Sequence, residues 1–169
     1  SYIIERFGDD CEILLHGISM GGATVLMASG LELPNNVKGI ISDCAFTSAW
    51  EVFVDVLKDM YHIPPYPIIN IANSISKSIA GYGLNECNSA EEVKKAKVPI
   101  LFIHGDNDTF VPCSMSKEIY KNCASPKALL IVKDAGHAES YYKDTINYEK
   151  KVKDFIERYL SNKEVIIND

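Results

Sequence analysis

Four histidines, a few aspartates that follow apolar runs and one serine set among glycines are the residues of this 169-residue chain whose types and spacing could do chemistry. The serine is Ser19, in Gly17-Ile18-Ser19-Met20-Gly21, where the apolar run EILLHGI (12–18) gives way to the helix-forming MGGATVLMASG (20–30). A G-x-S-x-G pattern on a sharp strand-to-helix turn exposes the serine hydroxyl. Such a turn forces strained backbone angles on the serine, so the positions two before and two after should carry almost no side chain. Gly17 and Gly21 meet that need. A serine in an ordinary turn bonds only its own backbone, so its chemistry depends on the partners the chain supplies.

A hydroxyl is a weak nucleophile near neutral pH and needs an adjacent base, itself oriented by a carboxylate. His16 and His104 each lie inside an apolar run just before a glycine, which reads as core or sheet-end packing, and His62 sits beside prolines in a surface or cap position. His137 differs, because DAGHAES (134–140) follows directly on an apolar run and so emerges at the same sheet end as Ser19. His137 is the expected base. For the acid, HGDNDTFVP (104–112) offers Asp106 and Asp108, and ISDCAF offers Asp43. Asp106 adjoins Gly105 and is expected to organise the turn through its own backbone. Asp108 lies further out and is better able to reach an imidazole; Asp43 is a third option, although a strand-end aspartate more often has a structural part.

The elements that must position these residues follow from periodicity. Runs that are apolar at consecutive positions, 12–18, 37–45, 98–105 and 127–135, suit strands buried on both faces. Helical patterns alternate with them: residues 20–30, then SMSKEIYKNCA with Met115, Ile119, Tyr120 and Cys123 in register, then YEKKVKDFIERYL with Tyr148, Val152, Phe155, Ile156, Tyr159 and Leu160 on one stripe. This order predicts an α/β fold, a mostly parallel sheet of about four strands with helices on both faces. Residues 47–96 break the rhythm and form a helical insertion: SAWEVFVDVLKDMYH, the rigid turn IPPYP, and the apolar helix IINIANSISKSIAGYG. It reads either as extra core or as a cap over a pocket at the carboxyl ends of the strands. Its Trp50, Phe53, Tyr61, Tyr66 and Tyr82 suit an apolar acyl chain and equally a packed lid. AEEVKKAK (90–97) reads as a solvated helix face.

Composition narrows the partners. The chain is 47% hydrophobic and long enough for one compact unit. Its formal net charge is −6, and its two arginines, Arg6 and Arg158, stand far apart, which argues against nucleic acid and anionic membrane. Five cysteines without a CxxC pair argue against a disulfide framework and a zinc site and fit a reducing cytoplasm. No apolar run approaches the roughly 18 residues of a membrane span.

Read together, the order Ser19, Asp108, His137 resembles the α/β-hydrolase family. GISMGG is similar to its nucleophile elbow, LFIHGDNDTFVP to its HGxxDxxVP acid loop and AGHAES to its histidine loop. The resemblance is closest to prolyl oligopeptidase and acylaminoacyl-peptidase catalytic domains and to small bacterial esterase-like members. It implies a serine hydrolase acting on an ester, thioester or amide through an acyl-enzyme, with Ser19 as nucleophile, His137 as base, Asp108 as acid, the Met20 N–H as one oxyanion donor, and neither metal nor organic cofactor. A non-catalytic binding module of the same fold and an acyltransferase are the alternatives. The family usually places four strands before the elbow strand, along with the loop that gives the second oxyanion donor, whereas only SYIIERFGDD and Cys11 precede residue 12 here. Residues 1–169 are therefore expected to be the carboxyl-terminal portion of one hydrolase domain. Strand 12–18 should form a sheet edge, to be covered by a further segment or another chain.

Overall fold

The computed structural model describes residues 2–160, so the two ends of the expected 1–169 domain, Ser1 and residues 161–169, lie outside the described residues. A short helix α1 (Tyr2–Phe7) leads to β1 (Ile13–Ile18), α2 (Met20–Ala28) and β2 (Val37–Asp43). The insertion holds α3 (Ala49–Asp55), continued by a π turn at Val56–Met60, and α4 (Ile68–Ala80). After α5 (Ser89–Glu92) and a 3-10 turn at Val93–Lys95 come β3 (Ile100–Gly105), α6 (Cys113–Asn122), β4 (Lys127–Val132), α7 (Ser140–Lys143) and α8 (Thr145–Tyr159).

The four strands form one sheet in the order β1-β2-β3-β4, and every neighbouring pair is parallel, as the alternating pattern predicts. Consecutive residues of the two central strands serve opposite faces. Ile40, Ile100 and Phe102 pack with Leu26 of α2, Val93 and Ile119 of α6 on one side; Ile41, Leu101 and Ile103 pack with Tyr148 and Phe155 of α8 on the other. On β1, by contrast, Ile13, Leu14 and Leu15 are only half-buried.

The strands are shorter than their apolar runs for local reasons. β3 starts at Ile100 because Pro99 has no N–H to give to a ladder. β2 stops at Asp43 because Cys44 turns left-handed (φ 43°), and the turn after β4 contains Asp134 at φ 57°. The reading of 90–97 as a solvated face is corrected: Ala90, Val93 and Ala96 are buried in the core, while Lys94 and Lys95 lie outside in ion pairs with Glu91 and Glu92. Charged letters outnumber apolar ones there, but the apolar ones fall at a spacing of three. Part of the insertion is core. Val52 of α3 joins Val111 and Met115 in a buried cluster, whereas α4 leaves Ile68, Ile71, Ile75 and Ile79 exposed before ending at Gly81 in the left-handed region. Among the described residues no helix is long and apolar enough to cross a membrane.

Candidate active site

Parallel register brings the strand ends together. Ile18 pairs with Asp43, Asp43 with Ile103, and Gly105 with Val132. The segments leaving β1, β3 and β4, which carry Ser19, Asp108 and His137, therefore emerge from the same carboxyl end of the sheet.

Ser19 has φ 53° and ψ −115°, a conformation that costs a non-glycine residue about 1–3 kcal/mol and persists only where the surroundings impose it. Here its N–H donates to the Asp43 carbonyl at 2.9 Å, and its own carbonyl accepts from the Ala23 N–H at 2.9 Å. A Cβ on Gly17 would run into the Gly21 carbonyl, so that glycine is obligatory, as expected. The expectation for Gly21 is corrected, because a Cβ there meets nothing within 4 Å. The second tight position is Gly22, where a Cβ would lie 2.8 Å from the Asp43 carbonyl oxygen and 3.2 Å from Ala45 Cβ. The turn closes against the end of β2, so the residue facing that strand is the one that must be bare.

Ser19 Oγ lies 2.8 Å from His137 Nε2, and His137 Nδ1 lies 2.8 Å from Asp108 Oδ2. An ionised carboxylate can only accept, so Nδ1 carries the proton and Nε2 is left to accept from the serine hydroxyl. Asp108 is 7% exposed, and its other oxygen accepts the N–H groups of Phe110 (3.0 Å) and Val111 (2.8 Å). Burial works to raise the carboxyl's pKa, but hydrogen bonds from His104, the Val111 N–H and His137 outweigh it and hold the group below the ordinary carboxylate range. The Phe110 ring meets the His137 ring edge-on, with centroids 5.0 Å apart. Met20 is the first residue of α2, so its N–H has no acceptor within the helix.

The other sequence candidates take different places. Asp106 is exposed and accepts the Asp134 N–H at 2.7 Å; it ties two turns together rather than organising its own backbone. Asp43 is buried, with burial raising its carboxyl pKa against the opposing effects of Tyr148, His104, Ser140 and His16. His62 is exposed in the insertion, as expected. The packing reading fails for His16, which is exposed on the edge strand with Nε2 3.4 Å from the Tyr148 hydroxyl. It is incomplete for His104, which is fully buried yet stands 3.3 Å from Asp108 Oδ2. The signal for that contact is the i, i+4 spacing of His104 and Asp108 across a turn.

Among the described residues, the ligating atoms of Cys44, Asp108 and His137 lie within 4.8 Å of one another, close enough to share a cation. Burial pushes the Cys44 thiol up to about 12, however, and the other two groups are hydrogen-bonded to each other. At neutral pH the thiol therefore keeps its proton.

A family model described as the prolyl oligopeptidase family matches residues 2–163. The uncharacterized protein YqkD of Bacillus subtilis is 33% identical over 143 residues, which cover 85% of this chain and 47% of that one. The chain spans about half the length of the curated relatives it matches, or less. Among solved structures, an acylaminoacyl peptidase of Pyrococcus horikoshii superposes with a TM-score of 0.70 at 21% identity, over 98% of this chain and 28% of that one. The Pyrococcus furiosus esterase Pf2001 gives 0.69 at 18% identity, over 95% and 58%. Both likenesses are of fold.

Proposed function

The chain belongs to the prolyl oligopeptidase family, and on that premise we propose that it is a serine hydrolase cleaving a carboxylic ester, thioester or amide through an acyl-enzyme. Ser19 Oγ attacks the substrate carbonyl while His137 Nε2 takes its proton, and Asp108 holds the ring and stabilises the imidazolium that forms. The Met20 N–H donates a hydrogen bond to the carbonyl oxygen as negative charge develops on it. Collapse of the tetrahedral intermediate expels the alcohol, thiol or amine, which leaves with the proton from His137. Water then attacks the acyl carbon, giving its proton to His137, and Ser19 is released when that proton returns to Oγ. The reaction as proposed uses no metal or organic cofactor.

The observation that supports this best is the continuous hydrogen-bonded chain from Ser19 through His137 to a buried Asp108, with both contacts at 2.8 Å. We also propose that these residues are the carboxyl-terminal portion of one hydrolase domain. The length by which the curated relatives exceed this chain would supply strands beside β1 and a second oxyanion donor. In the full-length protein, Ser19→Ala and His137→Ala should each abolish hydrolysis of short p-nitrophenyl esters while leaving the folded circular-dichroism spectrum intact. Normal turnover by either variant would remove the triad.

A further inference from the structure

The His104 ring is wholly buried and held on both sides. Nδ1 lies 2.6 Å from Ser116 Oγ; Nε2 lies 2.8 Å from the Val111 carbonyl oxygen and 3.3 Å from Asp108 Oδ2. The two oxygens around Nε2 can only accept. An unprotonated nitrogen there would set lone pair against lone pair in a dry site, so Nε2 carries a proton. Ser116 Oγ, which also reaches the Ala45 carbonyl at 3.2 Å, fixes the far side of the ring. Asp108 Oδ2 is the same oxygen that accepts from His137 Nδ1, so two imidazoles meet on one carboxylate oxygen. Among the described residues, Asp43 at the end of β2 interacts with His104, Cys44 beside it and Cys113 on α6 feel the Asp108 charge, and Cys113 in turn feels Lys117 and Asp106.

We propose that His104 is a positioning residue for the triad carboxylate. Its Nε2–H, shared between the Val111 carbonyl and Asp108 Oδ2, fixes the direction of that oxygen and draws off part of its charge. A carboxylate relieved of charge attracts less strongly the proton that inactivates the neighbouring base, so the acid limb of the kcat/KM profile is held at lower pH. The inference rests on the triad reading above.

Two measurements on the full-length protein test it. Nitrogen-15 spectra of ring-labelled protein should show His104 with Nε2 protonated. A ring carrying its proton on Nδ1 alone would overturn the inference without reference to turnover, so this failure is separate from a failure of the triad, which Ser19→Ala reports. His104→Leu, which removes the donor, should move the acid limb up by about half a unit to one unit, the worth of one hydrogen bond, and lower kcat about tenfold with KM little changed. His104→Gln, whose side-chain amide restores an N–H near the Nε2 position, should bring the limb back. A folded Leu variant with an unmoved acid limb would make His104 a packing residue and nothing more. If that variant does not fold, the Gln profile and the spectra still decide: a Gln variant whose limb shifts as far as a donor loss requires would count against the inference.

Discussion

Asp108 and Asp106 are two residues apart on one loop, yet their surroundings give them opposite tasks. Asp108 is buried and accepts from two backbone N–H groups and His137, whereas Asp106 is exposed and braces the turn at Asp134. Asp108→Asn should therefore lower the esterase rate by about 10⁴, as loss of a triad carboxylate does, and Asp106→Asn by far less. The reverse ranking would move the acid to Asp106. Asp43 offers a pH test. Burial lifts its carboxyl above the ordinary 3.8, and its Oδ1 makes no hydrogen bond, nor does Ser140 Oγ nearby. The folded protein thus holds that proton more tightly than the unfolded chain. Asp43 favours folding below its ordinary value, and this contribution is lost as pH rises from that value through the raised one. Asp43→Asn, which carries no charge, should gain melting temperature over the wild type as pH rises from 4 to 7; parallel melting curves across that range would contradict it.

At the scale of elements, the turn around Ser19 distinguishes a motif from its mechanics. Gly21 is part of the pattern but has open space, while Gly22, outside the five-residue pattern, faces the backbone of β2. Gly22→Ala should cost about 1–3 kcal/mol, as overpacking does, and reduce activity with it; Gly21→Ala should be neutral or slightly stabilising in a helix. Urea denaturation of the two variants checks the ranking. The same contrast explains what was legible in the sequence. The parallel arrangement of the strands, the burial of Ile40, Leu101 and Phe102, and the meeting of Ser19 with His137 across 118 residues could be read because consecutive apolar runs and strand-end loops constrain where a parallel sheet puts them. Gly22 and Val93 could not, since both depend on which side of a short helix meets its neighbour. His104 was hidden for another reason: a buried imidazole looks like packing until the oxygens around Nε2 are known. In the 3-10 turn after α5, Val93→Ala should cost about 2 kcal/mol, against less than about 0.5 for Lys94→Ala.

At the scale of the whole molecule, β1 is the outer strand of the sheet that the described residues form, and its Ile13, Leu14 and Leu15 are only half-covered. An apolar edge with unpaired N–H and C=O groups invites another strand. Residues 1–169 expressed alone should therefore associate beyond a monomer in light scattering and show weak esterase activity; a cooperatively folding monomer with full activity would mean that β1 needs no cover. The central claim, that Ser19 is a nucleophile activated by His137 and Asp108, is tested most directly by a fluorophosphonate probe on the full-length protein, with the labelled peptide located by mass spectrometry. The account predicts stoichiometric labelling at Ser19, lost in His137→Ala and in heat-unfolded protein. A folded wild-type protein that leaves Ser19 unlabelled, or that labels another residue while Ser19 stays free, would contradict it and leave a fold used for binding.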